Sequence, residues 1–175
     1  MLYELKDRRE MNAADATGQD GCQSLISHME RYFLLGLLLT ASEDDAESCF
    51  VLALDTWSKL TGNLVPMDQE LAHVSMKRAL VDSAVRICNP VFSPVPRESE
   101  LDIWSDRSAS PYPPWIVAIL QLDTFDRFVF VLSVLESYSD KECAELLHCQ
   151  PEEIAESRTR ALHSLAASSS GRVLL

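Results

Sequence analysis

The chain has 175 residues, enough for one domain of ordinary size or two small ones. Its hydrophobic content of 47% excludes a disordered chain, and five glycines with few alternating apolar runs argue against a β-rich fold. The net charge of −12 argues against tight, unaided binding to nucleic acid, because neutralised phosphates supply most of that affinity, and it favours docking on a basic partner.

The cysteines and the apolar runs indicate the cellular compartment in which the protein is expected. Five cysteines, at positions 22, 49, 88, 143 and 149, form no regular framework, so we expect free thiols in a reducing cytoplasm. The N-terminus is polar, unlike a signal peptide, and the longest apolar run, residues 32–39, is too short to span a bilayer. We therefore expect a soluble cytoplasmic protein that does not associate with a membrane.

The first half of the chain has the apolar periodicity of helices. Residues 1–22 are polar, and we expect a loose tail there. Over residues 23–88 apolar side chains recur at threes and fours, which predicts an N-terminal bundle of three helices. Their predicted ranges are residues 22–40, 43–60 and 67–88.

Short signals mark the ends of these helices. Ser42, with Asp45 three residues later, resembles the cap that begins a helix. Gly62 and Asn63 are typical of a helix end, and Pro66 fits the opening of the third helix.

Prolines dominate the middle of the chain. Residues 89–114 hold six of the eight prolines, which excludes a long helix and predicts a semi-extended linker. Within it, residues 101–104 suit one short helical turn that docks on a neighbouring element. We place a domain boundary here, with a C-terminal domain at 115–168 and a tail at 169–175.

The C-terminal domain is predicted to contain three helices after a lead-in. After a lead-in at residues 115–122, Asp123 or Thr124 suits a cap, and the run from Phe128 to Leu135 is apolar on almost every side. A helix that is apolar all round is buried, so this one should lie at the centre of the domain.

Two sequence motifs predict where the remaining helices of the domain begin. Ser139 and Glu142 have the spacing of a capping box, which predicts a short helix over residues 140–147. Pro151 suits the first position of a last helix after a tight turn. This order of helices is a helix-turn-helix layout, in which the last helix would enter a DNA groove. The predicted fold class is therefore all-α, with a three-helix bundle, a proline-rich linker and a helix-turn-helix domain.

Residues that could carry catalysis or bind metal do not form a convincing site. The four histidines are far apart in the sequence, no nucleophile–base pattern stands out, and five scattered glycines make no phosphate loop. Cys143, His148, Cys149 and His163 match no usual zinc spacing, so buried structural cysteines are the better interpretation. We expect neither an enzyme nor a bound cofactor.

The stretch from Leu122 to Leu165 resembles, without gaps, the fourth region of bacterial sigma factors of the extracytoplasmic-function type. The residues that match the family pattern are Leu122, Arg127, Phe130, Val131, Leu132, Glu136, Tyr138, Ser139, Glu142, Ala144, Leu147, Cys149, Arg160, Ala161 and Leu165. The resemblance implies a transcription protein that docks on RNA polymerase core and contacts promoter DNA. It also implies a possible regulator of the anti-sigma type as a partner.

The N-terminal bundle is similar to the family's second region. Residues 40–57 resemble its segment built around an Ala-Glu-Asp motif, here Ala46, Glu47 and Ser48, so the last carboxylate is missing. Residues 77–86 resemble its promoter-reading helix, although Asp82 and Arg86 are one residue further apart than the family's pair. The resemblance implies a polymerase-binding surface, with the candidates Asp45, Ala46, Glu47, Phe50 and Trp57.

The candidate DNA-binding residues of the last helix are more acidic than those usual in the family. Stepping 100° per residue along the last helix puts Ile154, Arg158, Ala161, Leu162 and Leu165 on the core side. The candidates on the outer side are Glu152, Glu153, Glu156, Thr159, Arg160 and His163. A second candidate strip is Lys77, Arg78 and Arg86, which is either a solvated face near a helix end or a strip that meets DNA or an acidic partner. Residues 122–165 carry nine acidic and four basic residues, so we expect weak DNA binding by the isolated chain.

Two hypotheses follow from these patterns. In the first, the chain is a sigma-factor-like transcription protein whose specificity comes from its complex with polymerase. In the second, it is a sigma-derived interaction module that no longer binds DNA and acts as a decoy or a sequestering adaptor.

Overall fold

The computed structural model describes residues 27–61, 69–90 and 110–170. Several predictions fall outside the described residues: the tail at 1–22, the helix end at Gly62 and Asn63, the start at Pro66, the short turn at 101–104 and most of the linker. In the three described ranges all regular structure is helical, which confirms the all-α class.

Seven helices follow one another in the described ranges. Their bounds are α1 Met29–Thr40, α2 Glu43–Thr61, α3 Gln69–Cys88, α4 Pro114–Leu120, α5 Thr124–Phe130, α6 Asp140–Leu147 and α7 Pro151–Ser170. The wider turns of a π-helix continue α5 over Val131–Leu135. None of these helices combines the length and the apolar character needed to cross a bilayer.

The predicted break between the first two helices is confirmed. Ala41 ends α1 in the left-handed region, with φ of 57°, and its N–H donates to the Leu37 carbonyl. Ser42 Oγ accepts from the Asp45 N–H at 3.2 Å, which is the predicted cap of α2.

Helix α4 corrects the expected lead-in. Residues 115–122 were assigned no helix, but Pro114 begins a helix whose residues Ile116, Val117, Ile119 and Leu120 are buried. Proline is favoured in the first turn of a helix, where its missing N–H has no intrahelical partner to lose. The prolines that indicated a linker therefore also start a helix that joins the core.

The central apolar run is only partly as expected. Phe128 and Leu132 are fully buried, which agrees with a central position. The end of the run differs, because Val134 and Leu135 are 41% and 42% exposed. The π-helical turns, in which the Glu136 N–H donates to the Val131 carbonyl at 3.0 Å, shift the last residues out of the buried register.

The connection between α6 and α7 has the predicted caps. Ser139 and Glu142 form the full capping box of α6, and Pro151 is the first residue of α7. Between these helices His148 has φ of 55°, and its N–H donates to the Ala144 carbonyl. A side chain with a Cβ is strained in this left-handed conformation, which glycine adopts freely.

We therefore expect opposite effects from two substitutions at His148. His148→Gly should raise the free energy of unfolding by about 0.5 kcal/mol, since relief of the steric cost exceeds the added entropy of the unfolded chain. His148→Val should lower it by about 1–2 kcal/mol, because a β-branched residue is disfavoured at positive φ. Urea unfolding followed by circular dichroism measures both changes. A loss of stability in His148→Gly would contradict a strained turn.

Helices from both sides of the predicted linker contribute to one continuous cluster of buried residues. In it α1 packs against α4 and α5, and α3 packs against α6. Arg127, on α5, is 2% exposed and lies within this packing. Its guanidinium donates to the Leu39 carbonyl at 3.3 Å and the Thr40 carbonyl at 3.4 Å, at the end of α1. The division into two domains stays a prediction, and the described helices of both halves share a core.

Candidate nucleic-acid interface

The inner face of α7 is set by residues three or four positions apart. Ile154, Ser157 and Ala161 are fully buried, while Arg158 and Leu165 are partly buried. Leu162 was expected in the core but is 48% exposed, because it lies 100° around the helix from Ala161. Ser157 was not expected there, and its burial depends on a partner from α5.

The outer face of α7 exposes the residues predicted for it. Glu152, Glu156 and His163 are exposed to solvent. Glu153 is also exposed, and its carboxylate accepts the N–H of Gln150 at 2.8 Å. The helix dipole favours acidic groups in the first turn. Glu153 also accepts a hydrogen bond from a backbone N–H that has no partner within the helix. Helix initiation thus explains this part of the acidic face without any ligand.

The polar side chains further along this face are held by their own neighbours. Thr159 Oγ1 donates to the Ala155 carbonyl at 2.9 Å. Arg160 donates to Asp126 twice, at 2.8 Å from Nη2 to Oδ1 and at 3.3 Å from Nε to Oδ2. These hydrogen bonds raise the pKa of Arg160. Asp126 also accepts from the buried hydroxyl of Ser157 at 2.6 Å, so one carboxylate of α5 fixes two residues of α7.

The second arginine of α7 is paired in the same way. Arg158 forms an ion pair with Asp140, the first residue of α6, and its second nitrogen lies 3.1 Å from that carboxylate. The hydrogen bond from Arg158 lowers the pKa of Asp140. Arg158 therefore joins α7 to α6 and Arg160 joins α7 to α5, with both positive charges neutralised by carboxylates.

The three basic residues predicted as a strip on α3 have different environments. Lys77 is partly buried and forms an ion pair with Glu136, after the π-helical turns. Arg78 lies 3.4 Å from Asp82, one turn along its own helix, and Arg86 is exposed. The structure therefore supports a solvated face for Arg78, and it turns Lys77 toward the C-terminal helices.

The predicted polymerase-binding residues on α2 do not form one surface. Ala46 is fully buried and packs against Gly36 of α1, so its assignment as a surface contact is wrong. Asp45 is partly exposed and its N–H takes part in the helix cap. Phe50 and Trp57 are partly buried and pack against the core, and Glu47 is exposed. The small side chain of Ala46 thus allows α1 and α2 to approach closely.

The exposed apolar residues of α2 were not predicted. Val51, Leu52 and Leu54 are 57%, 48% and 36% exposed. Helical periodicity could have identified Val51, because it lies one turn after Glu47 and away from the buried Cys49 and Ala53.

The cysteines considered for zinc have other environments. Cys143 is buried, which raises its pKa to about 11, and Cys149 is partly buried. His148 and His163 are exposed. Among the residues the structure describes, no group of three or more histidine, cysteine or acidic side chains could hold a metal ion.

Comparison with known proteins identified no relative. No family model, no curated protein and no solved structure matches the chain.

Proposed function

We propose that the chain is a sigma-factor-like transcription protein that docks on RNA polymerase core and directs its last helix toward promoter DNA. The observation that carries this proposal is the arrangement of α6 and α7. A capped eight-residue helix, a left-handed turn and a proline-initiated helix follow one another, with the face from Glu152 to His163 open to solvent. This order supports the proposal, because a helix-turn-helix needs a second helix whose outer face is accessible.

The apolar residues exposed on α2 support docking on a large partner. Val51, Leu52 and Leu54 lie within one turn of each other, next to the exposed carboxylates of Glu47 and Asp55. Exposed apolar residues bordered by charge are typical of protein–protein interfaces. In this proposal α2 binds polymerase, and the complex supplies the positive charge that the chain lacks.

Promoter-directed transcription with purified polymerase core tests the proposal. The wild-type chain should produce initiation from a subset of genomic promoters that core polymerase alone does not use. Val51→Asp combined with Leu54→Asp should abolish it, while Leu162→Asp, an equally exposed change on α7, should leave polymerase binding unchanged. Absence of initiation by the folded wild-type chain on the genomic library would contradict the proposal.

A second candidate function is favoured by the ion pairs on α7. Arg158 and Arg160 are bound to carboxylates, and Glu152, Glu153 and Glu156 would face phosphates that repel them. These features favour a sigma-derived module that binds a protein, such as an anti-sigma-type regulator or the polymerase clamp, without reading DNA.

Variants on the outer face of α7 distinguish the two functions. The second function expects Glu152→Lys with Glu156→Lys to change partner binding at least tenfold, while Arg160→Ala and Thr159→Ala leave transcription unchanged. The first expects Arg160→Ala and Thr159→Ala to reduce promoter activity. Thr159→Ala separates DNA contact from helix packing, since it removes an outer-face group without breaking the pair between Arg160 and Asp126.

A further inference from the structure

A cavity of about 210 Å³ lies where the N-terminal helices meet the C-terminal ones. Residues of α1 and α3 line one side, and Trp115 of α4 and the π-helical segment line the other. The residues of the outer face of α7 do not line it. A ligand bound in this cavity would therefore leave the face proposed to meet DNA open.

One wall of the cavity is apolar. Leu35 and Leu38 of α1 face it together with Val131 and Leu135 of the π-helical segment. Leu135 is 42% exposed, and Trp115 at the edge is 54% exposed. Large apolar side chains that remain half-exposed beside a concavity lose their contact with water when a ligand with an apolar body binds.

The other wall is polar, and its groups are already ordered. The Tyr32 hydroxyl lies 2.6 Å from His73 Nδ1, and Lys77 forms an ion pair with Glu136. Burial lowers the pKa of His73, and the charges of Lys77, His28 and Arg31 lower it further, against an opposing effect of Glu136. These groups are fixed by side-chain contacts rather than left to be ordered by a ligand, which reduces the entropic cost of binding.

The charge of the lining is opposite to that of the whole chain. Lys77 and Arg31 contribute two positive charges and Glu136 one negative charge, whereas the chain carries −12. A cavity with an excess of positive charge and a low-dielectric wall concentrates anions. An ammonium group has three N–H donors, so Lys77 can retain Glu136 and still donate to a second carboxylate.

We propose that this cavity is a binding site for a small monocarboxylate with a compact, planar apolar body. The carboxylate would bind Lys77 and Arg31, and the ring would lie against Leu135, with Trp115 at its edge. An apolar cavity of about 150 Å³ is known to accept benzene, so a ligand the size of benzoate fits the volume here. Because the ligand would contact α1, α3, α4 and the π-helical segment, its binding would stabilise the packing of the two halves.

Titration of the ¹⁵N-labelled full chain with benzoate, benzamide, benzylamine and acetate tests the proposal. Benzoate should shift the amide resonances of Leu38, His73 and Val131 together, and those at the end of α7 should not move. Benzamide should bind at least threefold more weakly, because it lacks the charge. Benzylamine and acetate should bind more than tenfold more weakly, for lack of the right charge or of an apolar body.

Variants test the role of the charges. Lys77→Met should weaken benzoate binding about tenfold or more, and Arg31→Met, at an exposed position, about threefold. Glu136→Gln should strengthen it, because it removes the repelling carboxylate. Arg86→Met, on α3 but outside the lining, is the control and should change nothing.

Three results would overturn the proposal. They are equal affinity for benzoate and benzamide, shifts that do not cluster at the cavity, or unchanged benzoate affinity in both Arg31→Met and Glu136→Gln. Arg31→Met and Glu136→Gln keep the test valid if Lys77→Met does not fold.

Discussion

Arg127→Met is expected to lower the free energy of unfolding by about 3–5 kcal/mol, among the largest effects of any single substitution in the described chain. The guanidinium donates at 2.9 Å to the Leu122 carbonyl and at 3.5 Å to that of Leu120, besides Leu39 and Thr40. The last carbonyls of a helix have no intrahelical donor, so this arginine satisfies the ends of α1 and α4 at once. Methionine fills the space and leaves buried acceptors without a donor.

Arg127→Lys and Arg86→Met are the comparisons for Arg127→Met. Arg127→Lys keeps the charge but loses the planar fork that reaches several acceptors, so we expect a loss of about 2 kcal/mol or more. Arg86→Met, at an exposed site, should change stability by less than about 0.5 kcal/mol. Denaturant unfolding followed by tryptophan fluorescence gives the values. A loss below about 1 kcal/mol in Arg127→Met would show that the two halves do not depend on this residue.

Asp126→Ala should have the second-largest effect, a loss of about 2–4 kcal/mol. The carboxylate is nearly buried, with a side chain 10% exposed, and it accepts from both Ser157 and Arg160. Its removal leaves the fully buried Ser157 hydroxyl without this acceptor and releases the guanidinium of Arg160. The change therefore loosens α7 against α5.

Asp140→Ala is the matched control for Asp126→Ala, because Asp140 pairs with the other arginine of α7 at a more exposed site. Its side chain is 37% exposed, and pairs of this kind contribute at most about 1 kcal/mol. Asp126→Asn retains an acceptor for Ser157 and should lose less than Asp126→Ala. Thermal and urea unfolding of the three variants measure the order. Equal losses in Asp126→Ala and Asp140→Ala would refute a special role for the buried carboxylate.

The sequence predicts best those features that depend on neighbours in the chain. The caps at Ser42 and Ser139 and the start of α7 at Pro151 were predicted because donor and acceptor lie within one turn. The bounds of α2 and α6 follow from the same signals. Such local patterns specify a backbone conformation largely independently of tertiary packing.

The features that were missed join distant residues. Arg127 is 88 residues from Leu39, Lys77 is 59 from Glu136, and Arg160 is 34 from Asp126. Which carboxylate or carbonyl a side chain meets depends on how the helices pack, and periodicity shows only which face is buried. Arg160 was for this reason assigned to DNA alone.

The assignment of Ala46 to a polymerase-binding surface illustrates the same limit. Small residues also occur where two helices approach closely, as Ala46 does beside Gly36. The residues that α2 offers to a partner are the apolar ones next to the motif. The docking proposal therefore depends on Val51 and Leu54 rather than on Ala46.

The most direct test of the account is affinity purification of the tagged full chain from its own cell extract, with polymerase subunits quantified by mass spectrometry. Polymerase subunits should be enriched at near-equal stoichiometry with the wild-type chain and at least tenfold less with Val51→Asp combined with Leu54→Asp. Enrichment no greater than with an unrelated tagged acidic protein would contradict it.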